Sequence, residues 1–389
     1  MARVEADRSP GAPFPQALPA LTSVRFILAL GVVLFHYQLQ WSWDVAAHTG
    51  LLERARLGVD VFFILSGFVL THAYRDALAQ GRMHYGRFLV ARLARIYPAH
   101  VAVLAFVGVM VGAAYAMGEQ FDARLYNPLG LLATLFLVHA WFPGGFVAEW
   151  NGPSWSLSAE WFAYLAFPLY GWLGLRLRSR PGLLLALAAI LFVALDCVYQ
   201  WAFGEILPHA EHRMGILRIL PEFLYGVALY RLGERLAPSR RLAGVAALAT
   251  AAIVVVLMHL QADDRWIVVA AGPLLLALAL LTKAGADAQV SRPWMLVGGE
   301  ASYALYLVHM PVLIGWKGVV SALTARPSAY TLAPWEVAIL LPLTLAVALA
   351  IHYLIEAPSR DRIRRLADRI WPAPAAKAAA PPGSQPPDV

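Results

Sequence analysis

The sequence predicts an all-α protein that crosses a membrane many times, and three observations support this fold class. Hydrophobic residues make up 60% of the 389 residues and charged residues only 14%, whereas a soluble domain carries about 25% charge. The apolar residues are gathered into runs long enough to span a bilayer. Most basic residues lie in the short segments between these runs, as the positive-inside rule describes.

Eleven apolar runs of spanning or near-spanning length follow one another along the chain. They are 21–43, 57–75, 97–117, 127–142, 154–175, 182–204, 215–232, 242–260, 266–282, 296–320 and 333–356. With both termini in the cytoplasm, the positions of the basic loops allow only ten crossings. The run 127–142 is the shortest, about 24 Å as a helix, and a Pro-Gly-Gly sequence follows it. We therefore predict about ten transmembrane helices plus one re-entrant or half-helix near 127–142, with the segment 143–153 lining a cavity.

The two ends of the chain differ in composition from its middle. Residues 1–20 contain four prolines and are predicted to form a flexible cytoplasmic tail, followed by a membrane domain over 21–360. Residues 361–389 are first basic and then rich in alanine and proline, which predicts a disordered cytoplasmic tail. The net charge of +7 is explained by the loop arginines, so the predicted partner is the lipid bilayer and no nucleic acid. The single cysteine and the scattered histidines predict no metal site.

The first apolar run contains an arginine and a histidine eleven residues apart, Arg25 and His36. Eleven steps of roughly 100° bring both side chains to the same face of a helix, about 16 Å apart along its axis. An ionisable residue inside a membrane helix indicates a functional site, because its burial must be compensated.

Two further polar groups follow in the next runs. Asp60 lies just inside an apolar run, either at the interface or paired with a membrane-embedded cation, and nearby small residues such as Ser66 favour close helix packing. Arg92 and Arg95 are three residues apart and so share one helical face at the start of a membrane helix. Their guanidinium groups could bind phosphate or anchor the helix to lipid headgroups.

A fourth polar group lies in the segment 151–160, which contains Asn151, Trp155, Ser156 and Glu160. Aromatic residues follow Glu160 directly, so this carboxylate is either a proton carrier or histidine partner, or a structural partner of an arginine. Later in the chain His309 could titrate or could be a hydrogen-bonded structural histidine.

In their order, these groups resemble the acyltransferase 3 family of integral membrane acyltransferases, in its stand-alone form without a fused hydrolase domain. The resemblance covers about 20–360 and rests on Arg25, His36, Gly58, Val59, Asp60, Phe62, Phe63, Ser66, Gly67, Phe68, Arg92, Arg95, Pro98, Trp155, Ser156, Leu157, Ser158, Glu160, Pro168, Ser302, Tyr303, Tyr306, His309, Pro311, Glu356 and Pro358. One departure is at the start, where the acid that often precedes the family's arginine is replaced within Leu21–Arg25.

The resemblance implies transfer of an acyl group, often acetyl, from cytoplasmic acyl-CoA to a hydroxyl of a carbohydrate or lipid-linked saccharide. It fits an O-acetyltransferase of exopolysaccharide biosynthesis in the bacterial cytoplasmic (inner) membrane, with acetyl-CoA as co-substrate. The catalytic residues would be His36 and Glu160: His36 as the general base, by direct attack or through an acyl-histidine, and Glu160 to orient His36 or balance its charge. The arginines at 25, 92 and 95 would bind the phosphates of coenzyme A. Substrate binding or structural support would come from Asp60, Ser66, Asn151, Trp155, Ser156, Tyr303 and His309.

Two other functions share some of these features. A transporter or flippase for a lipid-linked or envelope molecule also has polar residues at mid-membrane and a broken helix. We find no pair of interrupted helices repeated in two halves, which disfavours transport. A non-catalytic scaffold for polysaccharide export would tolerate replacement of His36.

Overall fold

The computed structural model describes residues 13–118, 125–145, 150–327 and 329–371. Within these ranges the secondary structure is helical, without a β-strand, and fourteen α-helices are formed. They are α1 (Pro19–Gln38), α2 (Leu51–Arg54), α3 (Gly58–Ala79), α4 (Tyr85–Ala116), α5 (Pro128–Leu135), α6 (Trp155–Leu165), α7 (Phe167–Arg176), α8 (Pro181–Phe203), α9 (Gly215–Glu234), α10 (Arg240–His259), α11 (Asp264–Lys283), α12 (Pro293–Thr324), α13 (Pro334–Ile351) and α14 (Ala357–Ile370).

Eight helical segments in these ranges are long and apolar enough to cross a membrane. They are α1, α2 with α3, α4, α8, α10, α11, α12 and α13 with α14. Two further elements have a comparable length: α9 has 20 residues but contains charged side chains, and α6 and α7 follow one another with a break at Ala166. With these two, the helices match the ten predicted crossings. The prediction of an all-α, polytopic membrane protein is confirmed.

The short run near 127–142 forms only the eight-residue helix α5, about 12 Å long, so the prediction of a half-helix is confirmed. The chain then turns at Leu137, which has a left-handed φ of 56°. Ser158 on α6 holds this turn, since its hydroxyl accepts from the amide of Ala140 (3.1 Å) and donates to the carbonyl of Leu137 (2.9 Å). The indole of Trp141 adds a bond of 2.9 Å to the Ser158 carbonyl.

Glycines set the closest helix contacts. Helices α1 and α12 run parallel, because Thr22 lies against Gly299 near their starts and His36 lies against His309 further along. A Cβ atom added at Gly299 would overlap the carbonyl of Thr22. Helices α3 and α9 pack in the same way, with Gly67 against the backbone of α9, which agrees with the packing role expected for small residues in this run.

The two ends of the membrane domain extend beyond the predicted bounds. Phe14 and Leu18 are buried although they lie in the predicted tail 1–20, and the ring of Phe14 packs against Phe68 and Tyr230, each at 5.5 Å. At the other end α14 continues past residue 360 to Ile370. Residues 1–12 and 372–389 of the two predicted tails lie outside the described ranges.

Candidate active site

A cavity of about 150 Å³ lies between α1, α3, α4, α6 and α12. Seven side chains singled out from the sequence line it, although they come from five different helices. They are Arg25, Ser66, Arg92, Arg95, Ser156, Glu160 and Tyr303. We call it the cationic cavity, because it contains three arginines and one carboxylate. The described residues between 143 and 153 do not line this cavity. The nearest lining residues in sequence are Ser156 and Leu157, at the start of α6.

The three arginines are held in different ways. Arg25 makes no hydrogen bond or ion pair with any residue in the described ranges, so its guanidinium is free to bind a ligand. Arg92 lies over the aromatic rings of Tyr74, Phe88 and Tyr164, at 5.7 to 6.0 Å from their centres. Stacking of this kind fixes the plane of a guanidinium without neutralising its charge.

The third arginine, Arg95, donates to Glu356 at 3.1 Å. Glu356 is fully buried and ends a π-helical turn, His352–Glu356, in which His352 also bonds its carboxylate at 3.0 Å. Such turns are frequent at functional sites. The sequence suggested only that Glu356 closes the last apolar run; its contact with Arg95 joins residues 261 positions apart, and no local pattern indicates it.

Glu160 has different partners from those expected. Its Oε1 accepts from the hydroxyls of Ser66 (2.7 Å) and Tyr164 (2.6 Å). Within the described residues no hydrogen bond joins Glu160 to His36, so the orienting role of Glu160 stays a prediction. The arrangement places one negative charge among the arginines of the cationic cavity.

The group that contacts His36 is a second histidine, His309. The Nδ1 atom of His36 lies 2.9 Å from the carbonyl oxygen of Val32 and 3.2 Å from Nε2 of His309. Nδ1 of His309 lies 2.6 Å from the carbonyl oxygen of Tyr306. A carbonyl only accepts hydrogen bonds, so both Nδ1 atoms carry the proton in the neutral rings. This leaves a lone pair on Nε2 of His36, and no described residue bonds to it.

Tyr306 connects this histidine pair with the cationic cavity. Its side chain lines the cavity, and its ring lies 5.8 Å from that of His309, which in turn lies 4.8 Å from His36. The hydroxyl of Tyr306 donates to the carbonyl of Pro153 (2.7 Å) and accepts from Ser156 (2.9 Å). The ring of Tyr306 therefore lies between the cavity and the histidines, which do not line it.

Two predicted residues, Asn151 and Tyr303, tie the elements around the site to one another. The amide of Asn151 donates to the carbonyl of Leu307 at 3.3 Å and so ties the loop before α6 to α12. Tyr303 donates to the carbonyl of Ile96 at 2.5 Å, which ties α12 to α4. These bonds fix the helices that bear the arginines and the histidines.

Asp60 forms the membrane-embedded ion pair that was one of its two alternatives. It accepts from Nε (2.8 Å) and Nη2 (2.5 Å) of Arg218 on α9. Both side chains are at most 1% exposed, and the guanidinium lies 5.1 Å from the ring centre of Trp155. The pair joins α3, α9 and α6 behind the cavity.

The comparisons with known proteins identify the family of the chain. The family model described as an acyltransferase domain, Acyl_transf_3, matches residues 18–353. The chain belongs to the acyltransferase 3 family. Because the match extends over nearly all the described helices, this acyltransferase 3 protein is an integral membrane acyltransferase.

Several individual relatives are similar to this acyltransferase 3 chain. Acyltransferase MdmB of Streptomyces mycarofaciens is 31% identical, over 76% of the chain and 79% of the relative. The putative membrane-bound transacylase BcsY of Komagataeibacter xylinus is 29% identical over 69% of each. O-acetyltransferase OatA of Staphylococcus aureus is 23% identical over 77% of the chain, but only 51% of OatA is covered. No solved structure matches the chain.

Proposed function

We propose that the protein is an O-acyltransferase, with acetyl as the group transferred, which moves an acyl group from cytoplasmic acyl-CoA to a hydroxyl of a surface or exopolysaccharide carbohydrate. The observation that supports this most directly is the convergence of Arg25, Arg92 and Arg95 on one cavity, with the ring of Tyr306 between this cavity and the pair of His36 and His309. The similarity to a relative named as an O-acetyltransferase favours acetyl transfer to oxygen.

The arginines would bind the phosphates of coenzyme A. Phosphates are bound best by guanidinium groups, which donate two parallel hydrogen bonds. Arg25 is the strongest candidate, because no described partner competes for it. Arg364 of α14 lies near enough to Arg92 and Arg95 to interact with them electrostatically, and it would add positive charge at the mouth of the cavity.

His36 would be the general base. Along α1, His36 is about 16 Å from Arg25, a distance comparable to the reach of the pantetheine arm, so the thioester would lie near the ring while the phosphates stay at the arginines. Nε2 of His36 takes the proton from the acceptor hydroxyl as its oxygen attacks the thioester carbon. The carbon–sulfur bond breaks, and the thiolate leaves and recovers the proton as free coenzyme A. His309 positions the base by accepting from Nδ1 of His36.

The direct test uses membrane vesicles that contain the wild-type protein and acetyl-CoA labelled in the acetyl group. We expect label in the polysaccharide fraction of vesicles from the natural host, and none in vesicles from a host without the gene. Ester-linked acetyl in the envelope polysaccharide of the two hosts gives the same comparison in cells.

One control variant and two contrary outcomes make the result decisive. The variant His36→Ala should be inserted in normal amounts and transfer no label above background. Equal labelling with and without the gene would contradict the proposal. Movement of a lipid-linked saccharide across the membrane without consumption of acetyl-CoA would favour a flippase instead.

A further inference from the structure

A second cavity lies at the other end of α1, just after His36. It has a volume of about 650 Å³, within the size range of small-molecule sites. The last turn of α1, the loop that follows and the start of the next helices line it. The lining residues are Phe35, Gln38, Leu39, Trp41, Ser42, Trp43, Asp44, Val45, Ala46, Glu53 and Arg56. We call it the tryptophan cavity.

Two indole rings form one wall of this cavity. The rings of Trp41 and Trp43 are nearly parallel, with an angle of 15° between their planes and 6.3 Å between their centres. Trp43 remains 64% exposed, so much of its apolar surface is uncovered. A flat, rigid aromatic surface beside polar groups suits a ligand that has an apolar face and hydroxyls around its edge. Such a ligand can cover the indole ring with its face and form hydrogen bonds with its hydroxyls at the same time.

The polar groups of the cavity favour an uncharged polyol. Gln38, Ser42, Asp44 and Glu53 offer amide, hydroxyl and carboxylate groups, which accept from or donate to hydroxyls. The one cation of the lining, Arg56, is already engaged, since it pairs with Asp264 and lies 3.1 Å from a ring nitrogen of His209. The surplus of carboxylates over free cations disfavours a phosphate or another anion.

The loop that bears the tryptophans is held in place at several points. The amide of Leu332 donates to the carbonyl of Gln40 at 2.7 Å, and Lys317 donates to the side chain of Gln40 at 2.7 Å. On the other side, the side chain of Gln261 donates to the carbonyl of Ala46 at 3.1 Å. The loop that bears the aromatic wall is therefore anchored to the α10–α11 loop on one side and to α12 and the loop after it on the other.

The tryptophan cavity lies next to the proposed general base, His36. Phe35 lines the tryptophan cavity and is the neighbour of His36 in sequence. His36 thus lies between the two cavities: through His309 and Tyr306 it reaches the cationic one, and through Phe35 it adjoins the other. A molecule whose hydroxyl reacts at His36 would extend into the tryptophan cavity, away from the arginines.

We infer that the tryptophan cavity is the acceptor subsite and binds an uncharged sugar ring by stacking on Trp43. This inference rests on the proposed function for its acceptor role, but the binding itself does not depend on the donor. The sugar would stack on the indole while Asp44 and Glu53 accept from its hydroxyls, leaving another hydroxyl to reach Nε2 of His36.

Binding can be measured on the purified full-length protein in detergent by saturation-transfer difference NMR. The probes are three uncharged tetrasaccharides: cellotetraose, maltotetraose and chitotetraose. We expect at least one to bind the wild type, Trp43→Ala to weaken that binding roughly tenfold or more, and Trp43→Phe to retain most of it. Failure of all three probes to bind, or equal binding by Trp43→Ala, would overturn the inference.

A matched control separates sugar binding from membrane anchoring, which tryptophans at an interface commonly provide. Trp201 near the end of α8 is 88% exposed, and the loop after α8 contacts Arg56, so it lies at the same end of the molecule. Trp201→Ala should bind the tetrasaccharide like the wild type. An equal loss in both variants would overturn the inference in favour of anchoring.

Acyl transfer in host vesicles distinguishes this inference from the proposed function. If the wild type transfers label and Trp43→Ala transfers it with the same dependence on acceptor concentration, the subsite is wrong and the proposed function stands. If the wild type binds the tetrasaccharide through Trp43 but consumes no acetyl-CoA, the subsite stands and the proposed donor is wrong.

Discussion

The cationic cavity and the tryptophan cavity lie at opposite ends of α1 and are built differently. The first is formed by side chains on five helices, most of them fixed by partners inside the protein, as Arg95 is by Glu356. The second is formed largely by a loop whose backbone is anchored but whose side chains, such as that of Trp43, are mostly exposed. A preorganised site suits one invariant ligand, whereas loop surfaces accommodate change. The difference suggests that the donor end is constant and the acceptor end is the variable part.

The histidine between the two cavities should give the largest effect. We expect His36→Ala to lower kcat by about 10²–10⁴, the usual contribution of a general base, because Nε2 of His36 carries a basic lone pair to which no described residue bonds. The KM values for donor and acceptor should change little. The measurement is label transfer per amount of inserted protein.

His48→Ala, in the exposed loop after α1, is the matched control and should be fully active. A His36→Ala protein that retains normal kcat would show that the two cavities do not share this base.

The buried ion pair behind the cationic cavity should dominate its stability. Asp60→Asn removes the carboxylate that pairs with Arg218 inside the protein and leaves the buried side chain of Glu222 beside it; breaking a buried ion pair in this way costs about 3–5 kcal/mol of unfolding free energy. Asp76→Asn on the same helix removes an exposed partner of Arg75 and should cost about 0–1 kcal/mol. Denaturant unfolding in detergent measures both, and equal losses would contradict a structural role for the buried pair.

Arg25 provides the cleanest test of the donor end, because its removal leaves no described partner unpaired. Loss of a hydrogen bond to a charged group costs about 1.5–3 kcal/mol, so Arg25→Ala should raise the KM for acyl-CoA about 10- to 100-fold. The KM for the acceptor should not change.

As its control, Arg241→Ala removes an exposed arginine at the start of α10 and should leave both KM values unchanged. If Arg25→Ala also raised the KM for the acceptor, the two cavities would not bind donor and acceptor separately.

Glu160→Gln should have the smallest effect. The amide oxygen can still accept from Ser66 and Tyr164, while one negative charge among the arginines is lost. We expect the KM for acyl-CoA to fall about threefold, as for a partly exposed charge, with kcat within tenfold of the wild type. A loss of kcat as large as that of His36→Ala would show that Glu160 takes part in the chemical step.

The sequence predicted the membrane fold well, because long apolar runs separated by short arginine-bearing loops are typical of helices that cross a bilayer. The grouping of Arg25, Arg92 and Arg95 also agrees with the sequence, since each lies near the start of its helix. This grouping follows from topology alone and needs no knowledge of side-chain contacts.

The partners inside the site could not be predicted. Glu160 meets Ser66 across 94 residues and His36 meets His309 across 273, and helical periodicity does not determine which faces of two distant helices touch. In the sequence, Trp41 and Trp43 only mark the end of the apolar run 21–43. Only their orientation in the folded loop distinguishes a stacking wall from interfacial anchors.

The contact of Gly299 with Thr22 has a consequence for genetics. It lies ten residues before His309 in α12, about 15 Å away, and the two helices touch at both places. A side chain at position 299 would act as a wedge near one end of the pair and tilt the far end, separating the imidazoles. In a mutational screen, variants of Gly299 would then lose activity as variants of substrate-binding residues do, although Gly299 lies far from the reacting atoms.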